Sequence, residues 1–175
     1  MMLRKVAIAA AAVLAVSSQA QAKDQVIHAG RLIDGVGKTA RTQVSILIHD
    51  DRIAAVQPGY VTPPGAEIID LKAATVLPGL IDDHVHITAG YHKGDPIHTA
   101  MTRTNYDDAI EATGFARDTL MAGFTSVRDV GADTGVIVAL KRAIANGVIP
   151  GPRMWVAGTP LGPTGGHGDA RNGLD

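Results

Sequence analysis

The sequence contains no cysteine, which excludes disulfides and thiolate-ligated metals, so any transition-metal site must use histidine, carboxylate or a modified side chain. It has no excess of either charge. The formal net charge is -1 over 175 residues, and nothing in it argues electrostatically for nucleic acid or an anionic membrane surface as a partner. The Gly-x-Ser-x-Gly elbow of serine hydrolases is missing as well. No apolar run reaches the ~20 residues of a membrane-spanning helix. The apolar run Val6 to Val16 follows Arg4 and Lys5 and precedes Ala20-Gln21-Ala22, a small-x-small cleavage pattern. That order of basic start, short apolar run and small-residue site specifies a signal peptide over residues 1–22, cleaved after Ala22. A periplasmic or secreted bacterial protein is expected. With no cysteine to acylate, a membrane anchor is not.

Residues 23–76 read as a small β-region. Val26-Ile27-His28-Ala29, Val44 to His49, Arg52 to Val56 and Glu67-Ile68-Ile69-Asp70 are short strands, separated by turn signals at Asp50-Asp51, Pro58-Gly59 and Pro63-Pro64-Gly65. Arg52 to Val56 folds back on the preceding strand as a hairpin. His28 and His49 lie beside turns with no second ligand at metal spacing, and neither is assigned to a site.

After Pro78-Gly79 the rhythm changes. Leu80 to Ile87 reads as a strand, Tyr106 to Met121 as a helix, Thr125 to Val130 as a strand, Thr134 to Asn146 as a helix stopped by Gly147, and Arg153 to Ala157 as a strand. The first helix has Thr104 or Asn105 as cap, acidic Asp107, Asp108 and Glu111 near its positive end, and a stripe of Ala109, Ala112, Phe115, Ala116 and Leu120. Strands alternating with such helices predict parallel βαβ units. Within the first strand, His84 and His86 are one residue apart and project from the same face, a metal-binding geometry for neutral imidazoles.

Other residues of this half are weighed beside that pair. Asp82 shares its parity if the strand is regular, with a structural role there. Asp83 has the opposite parity, and nothing in the sequence accounts for a charge at it. The connection Thr88 to Thr104 carries His92 and His98, for which substrate contact and simple solvation stay open. Arg128 and Asp129, adjacent at a strand end, cannot share a face, and a structural ion pair is expected there in preference to a substrate contact.

Leu77-Pro78-Gly79-Leu80-Ile81-Asp82-Asp83-His84-Val85-His86 resembles the amidohydrolase superfamily, whose barrel opens on a strand ending in His-x-His. Gly30 to Gly35 and Arg52 to Val56 look like that family's N-terminal β-segment, and Ala122 to Asp129 like its second barrel strand. Gly151-Pro152-Arg153-Met154 and Gly165-Gly166-His167-Gly168-Asp169 are most similar to its imidazolonepropionase-like, Xaa-Pro and Xaa-Arg dipeptidase branch, which includes enzymes similar to ochratoxin amidases. The resemblance implies an α/β fold: an incomplete TIM (β/α)8 barrel of about three βα units over residues 77–175, preceded by part of a composite β-sandwich.

It implies, further, a hydrolase of C–N bonds, amide or peptide-like, that uses a metal-activated water and one or two divalent ions, Zn2+ foremost, with His84 and His86 as ligands. His167 would bind the substrate, a small molecule or short peptide, near its scissile carbonyl. The family's bridging lysine, further histidines and catalytic aspartate come from later strands; Lys72, Lys93 and Lys141 do not match that lysine, and no catalytic residue is assigned. The chain is accordingly expected to be an N-terminal fragment, inactive alone, with self-association of the complete protein open. Hydrolysis of an ester, lactone, cyclic amide or phosphotriester on the same fold is the alternative, as is a non-catalytic metal-binding or vestigial protein.

Overall fold

A computed structural model describes residues 24–90 and 92–166; the expected signal peptide lies outside them. The chain divides into two compact units, at Leu77 and Pro78.

The first unit is a four-stranded sheet of β1 (Asp24–Leu32), β2 (Arg41–His49), β3 (Arg52–Pro58) and β4 (Glu67–Val76), in the order β3-β2-β1-β4. The expected hairpin is β2–β3, antiparallel, with His49 opposite Arg52. Asp50 takes φ 54° in its turn, a conformation aspartate tolerates better than most residues. β4 pairs parallel with β1 and is longer than its Glu67 to Asp70 apolar run suggested, because the ladder resumes beyond a register shift between Ala29 and Arg31. Gly30 lies at that shift, where a Cβ would fall 1.9 Å from the Lys72 carbonyl oxygen, so only glycine admits the neighbouring strand. Ala29, Leu32, Val44 and Ile46 form the buried centre.

The second unit carries β5 (Leu80–Val85), α1 (Pro96–Thr102), α2 (Asn105–Met121), β6 (Phe124–Asp129), α3 (Thr134–Ala145) and β7 (Arg153–Val156). Its sheet is parallel, in the order β5-β6-β7, as the alternation of strands and helices predicts. Helix α1 was not anticipated. Proline at its first position needs no hydrogen-bonded N–H, and the apparent length of the β5–α2 connection had hidden it. Helix α2 starts at a capping box in which Thr104 N–H donates to Asp107 at 2.8 Å and Thr104 Oγ1 accepts from Asp107 N–H at 3.4 Å. Helix α3 is capped by Asp133, whose carboxylate accepts from Val136 N–H at 3.0 Å. It ends in a Schellman arrangement: Gly147 at φ 69°, Gly147 N–H to Ile144 O and Val148 N–H to Ala143 O.

The helices cover one face of this sheet. Ala112 and Ala116 of α2, Ile137 and Leu140 of α3, Val127 of β6, Met154 of β7 and Ile87 make one buried cluster. Alanine on the α2 stripe allows the helix to approach the strands closely. Trp155 alternates with buried Met154 and is 48% exposed, so it stands on the face the helices do not cover.

Candidate metal centre at the strand ends

The C-terminal ends of the parallel strands are laced together by backbone bonds. Val130 N–H donates to Val85 O at 3.1 Å, Ala132 N–H to Gly158 O at 3.1 Å, and Ala157 N–H to Asp129 O at 3.0 Å. Three loops therefore leave the sheet from one rim, the place where α/β proteins assemble ligand sites.

His84 and His86 stand at that rim. Their ring centroids are 5.6 Å apart with planes at 73°. His86 Nδ1 lies 2.7 Å from Gly131 O. A carbonyl only accepts, so Nδ1 carries the proton and Nε2 keeps its lone pair. Metal-ligating histidines commonly have this arrangement, with the second nitrogen tied to a carbonyl or carboxylate. Two imidazole donors suit a divalent transition metal. Among the described residues no group of three or more His, Cys, Asp or Glu side chains is placed to hold an ion; the two histidines stand there as a pair.

The strand is not regular through this region. The β5–β6 register shifts between Asp82 and Val85, which removes the simple parity that would align Asp82 with the two histidines. Instead the Asp82 carboxylate accepts from His84 N–H at 3.0 Å, fixing the backbone that carries one ring. Asp83 is exposed, and the structure offers no account of it. β5 ends at Val85, earlier than the expected Ile87, because the Ile87 N–H leaves the ladder for a side chain.

That side chain is Asp129. It is fully buried, and its carboxylate accepts from Ile87 N–H at 2.8 Å and Gly131 N–H at 3.0 Å. The structural ion pair expected at this position is not what holds Asp129: its partners are backbone amides, while Arg128 is exposed on the opposite face. Both carboxylate oxygens thus meet a backbone donor, as a buried polar group requires.

In front of the histidines lies a cleft of about 850 Å³. Asn105 and Asp108 from the first turn of α2 give it a polar side; Val130 and Ala132, with Pro160, Leu161 and Pro163, give it an apolar one. Asp108 is held in place by Arg103, which bonds it at 2.8 Å and Glu111 at 2.8 and 3.0 Å. These hydrogen bonds, Glu111 first, raise the affinity of the Arg103 guanidinium for its proton. His92 Nε2 is 3.3 Å from Glu111, and His98 is an exposed residue of α1; neither lines the cleft. His167 lies outside the described residues. The role of Asp129 and the cleft-lining Asn105 and Asp108 were missed from sequence, where they read as an ion pair, a cap and a dipole-favoured acid. The one available signal was a carboxylate at a strand end two residues before a glycine.

His28 and His49 belong to the first unit and join no cluster there. His28 is buried, its Nε2 2.8 Å from Val61 O, while His49 is exposed and bonds Asp24 at 2.6 Å.

A family model described as "Amidohydrolase family" matches residues 75–172. The chain is 31% identical over 166 residues to an ochratoxinase of Aspergillus niger, an alignment covering 89% of the chain and 32% of that protein. It is 34% identical over 121 residues to a dihydroorotase of Solibacter usitatus, covering 69% and 26%. Among solved structures, a Xaa-Pro dipeptidase with methionine bound in its active site superposes with a TM-score of 0.79 at 38% identity, over 86% of this chain and 37% of the other. The chain thus spans between 26% and 37% of the length of these relatives.

Proposed function

This chain belongs to the amidohydrolase family, and we propose that within a complete barrel it serves an exported, metal-dependent hydrolase of an amide or peptide-like C–N bond. Its relatives are hydrolases acting on C–N bonds. The β5-β6-β7 arc forms the first three βα units of a (β/α)8 barrel, and β1 to β4 form part of a composite β-sandwich. The uncovered sheet face bearing Trp155 and the partial coverage of longer relatives support that reading.

The carrying observation is the His84–His86 pair, with His86 Nδ1 tied to Gly131 O so that Nε2 is its free donor. These two side chains would hold one or two divalent ions, which family members typically bind, and zinc suits imidazole nitrogen. A bound divalent cation supplies Lewis acidity toward a carbonyl and brings the acidity of water into the neutral range. The residues of this chain position and enclose. Asp82 fixes the backbone of His84 and Gly131 orients the His86 ring, while Asn105 and Asp108 face the apolar Pro160 to Pro163 wall across the cleft. That combination suits a small molecule or short peptide with an apolar group beside a polar amide. His167, shortly after β7, binds this substrate near its scissile carbonyl.

The test is metal analysis and amide hydrolysis by the complete protein and its His84→Ala/His86→Ala variant. Loss of both metal and turnover is expected; a variant that keeps bound metal and activity refutes the site. Export is tested separately by N-terminal sequencing of protein from the periplasm or medium, where a start at Lys23 is expected and an intact Met1 refutes it.

A further inference from the structure

The geometry assigns Asp129 as a positioning residue for the metal site: one buried carboxylate fixes both the backbone that carries His86 and the carbonyl that orients its ring. This rests on the reading of His84 and His86 as metal ligands. Asp129 Oδ2 accepts from Ile87 N–H at 2.8 Å, the amide immediately after His86. Oδ1 accepts from Gly131 N–H at 3.0 Å, and the Gly131 carbonyl accepts from His86 Nδ1 at 2.7 Å. The path closes into a ring: carboxylate, Ile87 amide, His86 imidazole, Gly131 peptide and back to the carboxylate.

Each part has a chemical reason. Two amide donors converge on one side chain, and only a carboxylate offers two oxygens that accept without donating; a carboxamide would turn one –NH2 group toward an N–H. The amide of Ile87 has left the strand ladder, so without Asp129 it would be buried with no acceptor. Gly131 is buried, and a Cβ on it would lie 3.2 Å from His86 Cε1, which shows how closely its peptide sits against the ring. Asp129 touches no substrate-facing surface, being fully buried. Its effect runs through the tautomer and direction of His86, the kind of outer contact whose loss commonly lowers metal affinity about 10- to 100-fold.

The experiment uses the complete protein and its Asp129→Asn variant. Zinc affinity is read by competition with a chromophoric chelator, and site geometry by the visible absorption of the cobalt-substituted form. Ile137→Val, which removes one methyl from the same buried cluster as Ile87 but none of the hydrogen-bonding groups of this network, controls for general loss of packing. Expected are an about 10- to 100-fold weaker zinc affinity and an altered cobalt spectrum for Asp129→Asn, with Ile137→Val unchanged in both. Wild-type affinity and spectrum in a folded Asp129→Asn protein overturn the assignment, as does an equal effect of Ile137→Val. Should Asp129→Asn fail to fold, 15N NMR of the metal-free wild-type protein decides. A His86 ring protonated on Nδ1 supports the network, and one protonated on Nε2 alone overturns it. The His84→Ala/His86→Ala variant separates the two ideas: if it loses zinc while Asp129→Asn binds normally, the ligands stand and the positioning role falls.

Discussion

Replacing Gly131 with alanine tests how closely the His86 ring and the Pro160 loop fit against this peptide. Gly131 is not among the glycines with positive φ, so alanine is compatible with its backbone and the consequence is steric. The new methyl would lie 2.7 Å from Pro160 Cγ, 3.2 Å from His86 Cε1 and 3.4 Å from His86 Nδ1. The first distance forces a shift. Pro160 is exposed, so its loop can move outward, and the loss of stability is expected near the bottom of the ~1–3 kcal/mol range for overpacking. The histidine must also give by a few tenths of an ångström, which stretches its bond to the Gly131 carbonyl. A roughly tenfold weaker zinc affinity, about 1.4 kcal/mol, is the expected result, read by chelator competition beside a thermal melt of the metal-free protein. Undiminished zinc affinity, with the melt unchanged, would show that the ring does not depend on the close approach of this peptide, and the reasoning would fail.

Three further outcomes follow from the scaffold. Gly114 lies inside α2, and a Cβ added to it would meet nothing within 4 Å, so Gly114→Ala should stabilise the protein by about 0.5–1 kcal/mol in urea unfolding, and a loss of stability would contradict the open space seen there. Thr104→Ala removes the side-chain half of the α2 capping box and should cost about 1 kcal/mol in the same assay; no change would mean that the Asp107 contact to the Thr104 amide suffices alone. The hydrogen bond that His49 donates to Asp24 and the charges of Asp24 and Asp50 raise the His49 pKa above 6.5. A raised histidine pKa contributes stability that is fully present below about pH 6.5 and is lost as pH rises through the folded value. Asp24→Asn should therefore return the His49 NMR titration toward 6.5 and flatten that pH dependence, and an unmoved titration would refute the pairing.

Much of the scaffold was legible because its signals are local. Alternating strands and helices, the Thr104 cap and the Gly147 stop each depend on residues within one turn of each other, and all appear as read. The β2–β3 hairpin was readable for the same reason, with turn residues between two apolar runs. Helix α1 and the full length of β4 were not. The first is a short helix in a polar connection, and the second is drawn out by pairing with β1, a strand distant in sequence, as the Gln25–Glu67 register shows.

For the candidate site the division is sharper. His-x-His spacing keeps two imidazoles near one another, although His86 lies just past the end of β5 and strict strand alternation does not hold there. Which ring nitrogen is protonated, and what holds it, depends on a carbonyl 45 residues later. Arg128 and Asp129 show the limit most plainly. Charges at a strand end suggest a structural ion pair, yet folding buries the carboxylate against amides from Ile87 and Gly131 and leaves Arg128 exposed. Sequence by itself determined most of the elements and the family, because periodicity, caps and motif spacing are properties of neighbours along the chain. Only the tertiary structure decided the partner of each polar group at the rim, because a buried donor takes whichever acceptor the fold brings within reach, however distant in sequence.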